Sequence, residues 1–501
     1  MIRVITLLLI LSAPTWLLGQ TQVTLKKAGS LSLVKIEGED IQKLKNSVWL
    51  VQGNTNIYCD SAYLNKLTNS AKAFGNVKII DSVDPVDIQS EYLEYNGNTK
   101  IAKLRQNVVM KDDSVTLYTD NLDYDRTTRI GNYFKGGRLI DNNNDLTSIY
   151  GIYNTETKLA EFYENVVMTN PDFDLKTDTL YYDIVSSKSR TSGYTLAITA
   201  DSDTLKTVTG LIYSKNDLYA EVYYGYINNV DFYVEADTIF ADDLSQIYRA
   251  SKNIKMISKE DSLTIYGNNG TYRKVSKDAI VYNEAYMRKM LEGDSLFISA
   301  DTLYSNQKDP ENKFLTAYHD VKMFKSNLQG VADSVSYNFF DSTIYMFTDP
   351  TIWAEDSQIT ADSINIEVKE NKIDKMNLSQ NSFVISKDSM NNFNQVRGRT
   401  MEIYFKDGFI RKTDVNGNGE SIYYIQEATG ATSMNKIKCS NMALYFYKSS
   451  VTEIRTYNKV DGFVKPQFEI LQTDKRLRGF EWQSDVRPSL RQVARRLRYD
   501  R

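Results

Sequence analysis

The chain has 501 residues, a formal net charge of −4, one His (His319) and two Cys (Cys59, Cys439). The near-neutral balance supplies no basic face for nucleic acid, and one His with two Cys excludes His- or Cys-rich metal centres, disulfide scaffolds and thiol redox pairs. A hydrophobic content of 42% with 35 Tyr and 7 Pro suits a strand-rich, turn-rich protein with a sizeable core and little linker.

In chain order, the first feature is an address. Arg3 precedes the apolar run Val4–Leu11, Trp16–Leu18 extends that run past Pro14, and Gly19–Gln22 turns polar. This predicts a cleaved secretory signal over residues 1–19, hence export to the periplasm, with the outer membrane as a peripheral location. No Cys follows the run, so no lipid anchor is expected. Residues 20–45 read as a polar lead-in and cap, 46–465 as a repeat array, and 466–501 as a tail in which strand alternation fades. The tail is basic through Lys475, Arg476, Arg478, Arg487, Arg491, Arg495, Arg496, Arg498 and Arg501. It reads as a solvated end or as a contact for anionic headgroups, with Ser489–Arg498 a short basic helix.

The array repeats one pattern: an acidic or polar residue, a small polar one, an apolar one, any residue, then an aromatic or apolar one. It stands at Asp60–Leu64, Glu91–Tyr95, Asp120–Tyr124, Asp178–Tyr182, Asp237–Ala241, Asp301–Ser305, Asp333–Tyr337 and Asp362–Ile366. Weaker copies at Ile149, Thr209, Asn268, Arg399 and Ser440 fill the gaps, giving a step of about 30 residues that loosens to about 40. A second pattern lies between the copies, at Gly75–Ile79, Gln106–Met110, Glu164–Met168, Lys252–Met256 and His319–Met323. Its polar pair predicts a turn and its tail a strand. Within each copy the apolar period is 2, so one face is buried and the other solvated. A lone repeat cannot bury its apolar face, whereas stacked repeats can. The expected fold is all-β, an elongated solenoid-like array of repeats of about 30 residues with one continuous apolar interior.

A repeat offers the same residue many times, whereas catalysis needs one unique constellation. The recurring Asp is therefore expected to bond backbone at a turn rather than to act as an acid or base. His319 is expected on a surface turn. No enzyme activity, cofactor or metal is expected. The interior is the remaining candidate. Leu93, Leu122, Leu180, Leu211, Ile239, Leu303, Val335 and Ile364 would form one apolar line, and Val77, Val108, Val166, Ile254 and Val321 would face it. Tyr95, Tyr124 and Tyr182 stand at the second inward position, where a ring can cover apolar chains and a hydroxyl can meet water or sugar. Two states of this interior follow from the residues: a closed, self-filled core, or a groove open along one side for hydrocarbon chains. Cys59 and Cys439 are expected as two separate thiols.

Val48–Gly53, Ile57–Ala62 and Ala73–Val77, with the later Asp-Thr-Leu-Tyr and Glu-Asn-Val-Val-Met copies, resemble the OstA-like (organic solvent tolerance, lipopolysaccharide-transport) family. The resemblance covers about residues 46–390, is most specific near the start, and weakens after Arg399. It implies an antiparallel β-jellyroll, or β-taco, in the periplasm, with lipopolysaccharide acyl chains inside and sugars outside. It also implies partners in the inner- and outer-membrane transport components, reached through edge-strand pairing, and head-to-tail self-association. The chain departs from that family's short bridging members in length and in lacking an obvious outer-membrane barrel. Two other readings stand beside this one: a secreted β-solenoid surface or adhesive protein with a sealed core, and a β-helix polysaccharide enzyme, which would require carboxylates clustered on one or two rungs.

Overall fold

A computed structural model of the chain describes residues 21–81, 85–113, 115–141, 143–426, 432–447 and 450–494. The signal segment expected over 1–19 lies outside the described residues, as do Arg495, Arg496, Arg498 and Arg501. The chain divides into two compact units, residues 1–200 and 201–501. Both are all-β, with consecutive strands paired antiparallel.

In the N-terminal unit the strands are long. Phe173–Asp183 pairs on one side with Leu159–Thr169 and on the other with Lys188–Thr199. Its buried residues are Leu175, Thr177, Leu180 and Tyr182. On a flat strand Thr177 and Leu180 would face opposite ways. Both are buried, so the strand bends at Asp178–Thr179 and the two halves look into one interior. Thr55–Asn65 slips in the same way at Asp60, Val86–Asn96 at Glu91, and Val115–Asp125 at Asp120. The neighbouring strands accommodate the bend with two consecutive left-handed residues, at Gln106–Asn107 (φ 63° and 50°) and Glu164–Asn165 (62° and 53°). The ladder shifts register at each of these points. Each bend is thus a bulge of two residues against one, and the stacked bulges form a crease along which the sheet folds over on itself.

This corrects the sequence reading at one point. The polar pairs were expected to separate short strands. They sit inside single strands, because two left-handed residues bend the backbone while the ladder continues on either side. The recurring Asp likewise stands mid-strand rather than at a strand start. Its carboxylate serves the crease: Asp60 accepts from Asn76 Nδ2 (2.9 Å), Asp120 from Asn107 N (3.1 Å) and Asp178 from Tyr194 N (2.9 Å). The strands reverse at their two ends in turns held by side-chain caps, such as Asn96 Oδ1 accepting from Asn98 N (2.9 Å) and Asp183 Oδ1 from Val185 N (3.0 Å). A cross-section of the fold therefore has a crease at one side and two rows of tips at the other. Strand pairing begins at Thr24, within the expected lead-in: Thr24–Lys27 and Ser30–Ile36 both pair with Glu39–Gln52.

The C-terminal unit uses the same plan. Lys252–Asn253, Asn283–Glu284, His319–Asp320 and Gln380–Asn381 are among its left-handed crease pairs, and Asp237 and Asp362 accept from Asn253 and Asn381 Nδ2 (both 3.0 Å). His319 is an exposed crease residue, 3.5 Å through Nδ1 from Asp333. Residues 467–494 depart from the plan. They form short 3-10 turns and a single helical turn, Leu490–Val493, shorter than the basic helix expected over Ser489–Arg498. This segment is a strap. Phe383 and Ile385 alternate with Val384 and Ser386, which line an interior cavity, so the first two face outward. They are buried beneath Ile470, Leu477, Phe480 and Trp482. Further along, Tyr266, Tyr286 and Phe297 are buried beneath Leu490, Val493 and Ala494.

Three glutamine side chains hold the strap, two by its backbone and one by an arginine side chain. Gln395 accepts from Leu477 N (2.8 Å) and donates to Lys475 O (2.9 Å). Gln358 accepts from Gln483 N and donates to Glu481 O (both 2.7 Å). Gln329 accepts from Arg487 Nε (2.7 Å). The described part of the basic tail is therefore docked rather than frayed.

Candidate functional site: the apolar interior and its seam

The interior of the N-terminal unit is one cluster of buried side chains. Val77, Leu93, Tyr95, Val108, Leu122, Tyr124, Val166, Leu180 and Tyr182 all belong to it, none more than 5% exposed. In the C-terminal unit Leu211, Ile239 and Ile254 form one cluster, and Leu303, Val321, Val335 and Ile364 belong to a larger one. All point inward, and in the N-terminal unit they fill the space between the two halves themselves.

Opposite the crease the two rows of tips meet along a seam. In the N-terminal unit this seam is joined by polar side chains. The Tyr95 hydroxyl bonds Gln52 Oε1. Arg126 donates to the Tyr95 hydroxyl (3.0 Å) and is ion-paired with Asp81. The Tyr153 hydroxyl donates to Asp112 (2.6 Å), and Lys158 Nζ lies 2.7 and 2.6 Å from the two Asp112 oxygens. Tyr182 donates to Asp141 (2.8 Å). Burial first, and the carboxylate second, hold the Tyr153 and Tyr182 hydroxyls far above their ordinary range, so both remain donors. The tyrosine row was expected to offer its hydroxyls to water or sugar. Tyr95, Tyr153 and Tyr182 offer them to the opposite tips, and the Tyr124 hydroxyl bonds Thr155 (3.2 Å).

The latch partners on one tip row, Gln52, Asp81, Asp112 and Asp141, recur at the repeat step. Sequence reasoning missed them because a turn Asp or Gln has an ordinary explanation as a turn former. Their near-constant offset from the tyrosine row was the available signal.

The C-terminal unit has seam contacts as well. Lys313 Nζ reaches Asp261 (2.8 Å) and Glu260 (3.1 Å), and Glu292 accepts from Ile373 N (3.0 Å) while pairing with Lys325 (3.0 Å). Beyond Glu292 the interior opens into a cavity of about 350 Å³. Leu328, Ala354, Val384 and Val396 line one half, and Ile403, Phe405, Ile410 and Leu444 the other. The turn residues Glu355, Asp356, Lys387 and Asp388 also line it. The repeats differ here. Most earlier copies end in Tyr (Leu64, Ala241 and Ser305 excepted), whereas the last three end in Ile366, Ile403 and Leu444, of which Ile403 and Leu444 line the cavity. These side chains supply neither a ring to fill the space nor a hydroxyl to cross the seam. The volume lies in the range of about 300–1,000 Å³ usual for small-molecule sites.

Cys59 and Cys439 are free and buried. Burial pushes the Cys59 thiol up to about 11. Among the described residues no group of three or more His, Cys, Asp or Glu is placed to hold a metal ion, and no helix is long and apolar enough to cross a membrane.

An antiparallel sheet folded along a crease around an apolar interior defines the class: an all-β, jellyroll-like array. Residues 20–178 match the OstA-like protein family, so the family resemblance holds for most of the N-terminal unit. In general terms this is a lipopolysaccharide-transport bridge family of the periplasm. No curated protein matches the chain.

Proposed function

We propose that the protein is an exported, periplasmic carrier of lipopolysaccharide, holding acyl chains in the folded-over interior and sugars outside. It is not an enzyme on this reading. Each exposed methylene costs about 0.8 kcal/mol in water, so a multi-chain lipid needs continuous cover between membranes. The observation that carries the reading is the cavity of about 350 Å³ in the C-terminal unit, with an apolar floor and a polar rim, where Ile403 and Leu444 stand in place of the tyrosine row. In the N-terminal unit the interior line from Leu93 to Leu180 would receive acyl chains once its seam is opened. Membrane-side transport components and further copies of the chain are reached by strand addition. In support, Thr24–Lys27 and Ser30–Ile36 pair only with Glu39–Gln52 among the described strands. Leu31 and Leu33 on that edge are 50% and 70% exposed.

The test is a photo-crosslinking amino acid at Phe405, inside the cavity, with purified lipopolysaccharide. A light-dependent lipid adduct at Phe405, absent at exposed Leu67, is expected. No adduct at Phe405 or at Ile403 under saturating lipid overturns the reading. One observation favours a second reading, a lipid-free β-array with a structural or adhesive role: the N-terminal interior is filled by its own side chains. That reading requires the cavity to stay empty in the same experiment.

A further inference from the structure

Two cations stand at the seam of the N-terminal unit, on the same row of tips. Arg126 follows the strand Val115–Asp125, and Lys158 precedes Leu159–Thr169. Each sits at the edge of the apolar interior, beside a member of the tyrosine row: Arg126 bonds Tyr95, and Lys158 shares Asp112 with Tyr153. Each is neutralised from the opposite row, Arg126 by Asp81 and Lys158 by Asp112 with the exposed Asp113 3.4 Å away. The side chains of Arg126 and Asp81 are 15% and 10% exposed, and those of Lys158 and Asp112 are 22% and 1% exposed. The two halves of the fold are continuous at the crease through every bent strand, whereas at the seam these latches are side-chain contacts. Opening the seam therefore breaks few bonds, and it uncovers a guanidinium and an ammonium directly above a hydrocarbon interior.

That juxtaposition has a chemical complement, an amphiphile with an apolar tail and an anionic head. A phosphate oxyanion can take the place of either carboxylate. The planar guanidinium binds phosphate in the same bidentate manner as carboxylate, and ammonium binds it as a point charge. Buried ion pairs are near break-even against desolvation, so exchanging one anion for another is a small step where opening onto bare apolar surface would not be. We infer that the N-terminal seam is a lateral site for lipid phosphate: chains pass sideways into the interior while Arg126 and Lys158 transfer from Asp81 and Asp112 to the headgroup. The inference rests on the proposed role of the interior as an acyl-chain path, and adds where the lipid crosses and which headgroup chemistry is favoured.

The experiment offers the full-length protein two lipids with identical acyl chains, a phosphatidic acid and a diacylglycerol, each carried in phosphatidylcholine vesicles. Lipid retained on the protein is quantified after the vesicles are removed by flotation. The wild type is expected to retain about tenfold more phosphatidic acid, the scale of one charge-assisted contact. Asp81→Asn with Arg126→Gln, and Asp112→Asn with Lys158→Gln, remove each pair together and leave no buried charge unpartnered. Both variants should lose most of the preference while keeping diacylglycerol uptake, and Arg126→Lys should restore part of it. If one double variant does not fold, the other carries the test.

Uptake of both lipids without preference, or a preference that survives loss of both cations, overturns the inference and leaves the carrier reading standing. Retention of neither lipid by the wild type overturns both. A preference abolished by excess inorganic phosphate marks a free-anion site and overturns the lipid assignment. A preference unchanged by it supports the headgroup.

Discussion

Lys158 and Asp112 form an enclosed latch of the N-terminal seam, with Asp112 only 1% exposed and both of its oxygens within 2.7 Å of the ammonium. Removing the lysine alone strands a carboxylate that retains only its Tyr153 bond and the backbone around it. Lys158→Met is expected to cost about 3 kcal/mol, as for other half-broken buried pairs. Lys158→Met with Asp112→Leu should recover most of that loss, because neither charge then needs solvation. Urea denaturation of the three proteins checks it. A double variant as unstable as the single one would mean that Asp112 is held mainly by other groups.

The crease is tested at Gly193, which has a φ of +84° and lies against Asp178. A Cβ there would sit 2.5 Å from Asp178 Oδ2 and 3.2 Å from its Cβ. Gly53 also has positive φ, +57°, but its Cβ would meet nothing within 4 Å. Gly53→Ala should therefore cost about 1 kcal/mol from backbone conformation alone. Gly193→Ala should cost about 2–3 kcal/mol, because it adds the clash and displaces the carboxylate from Tyr194 N. Equal losses in thermal or urea unfolding would show that the Asp178 contact does not constrain the crease.

These two sites show why some of the fold was legible and some was not. The inward residues, from Leu93 to Ile364, follow from period-2 alternation, because each half-strand keeps strict phase. Across the crease the phase slips, and Asp178 with Glu164–Asn165 has the chemistry of an ordinary loop. A polar pair in left-handed conformation reads as a turn whether or not a ladder continues beyond it. The strap was illegible for a different reason. Gln358 and Gln395 bind it by backbone atoms, which every residue type presents, and Gln329 by the single Arg487 side chain, so residues 467–494 carry no repeating pattern of their own. The cavity was readable as the loss of Tyr at Ile403 and Leu444, but it emerges only once the tyrosine row is known to fill the interior.

Burial also sets an alkaline limit on stability. The Cys59 thiol is pushed from 9.0 to about 11, and the Tyr133 hydroxyl from 10.0 to about 12, by burial in each case. The folded state therefore holds these protons at pH values where the unfolded chain releases them. The sign is a stability fully present below about pH 9 and lost progressively as pH rises through about 11–12, worth a few kcal/mol in all. Melting curves between about pH 8 and pH 12 should fall over that window, and Cys59→Ala with Tyr133→Phe should flatten part of the fall. An unchanged slope in that variant would assign the loss to other groups. The same burial predicts that Cys59 resists alkylation in the folded protein, since the thiolate is the nucleophile.

The strap makes the last case. Its removal would uncover Phe383, Ile385, Tyr286 and Phe297, side chains that are no more than 7% exposed when it is docked. Gln358 is the central clasp, with two bonds of 2.7 Å to strap backbone atoms and a side chain at 1% exposure. Gln358→Ala breaks both bonds and leaves the Gln483 amide and the Glu481 carbonyl without that partner, a cost of about 1–3 kcal/mol per buried group left unsatisfied. The strap is joined to the outer face by packing and these clasps rather than by strand pairing, so it should come away before the sheet does. The expected result is faster proteolytic cutting within residues 467–494 and stronger binding of a hydrophobic dye, with the strand signal in circular dichroism unchanged. Restoring an amide with Gln358→Asn, one methylene shorter, should recover little, because the paired bonds need the reach of glutamine. If cutting in the strap and loss of strand signal instead rise together in Gln358→Ala, the strap is an integral part of the C-terminal core rather than a cover laid over it.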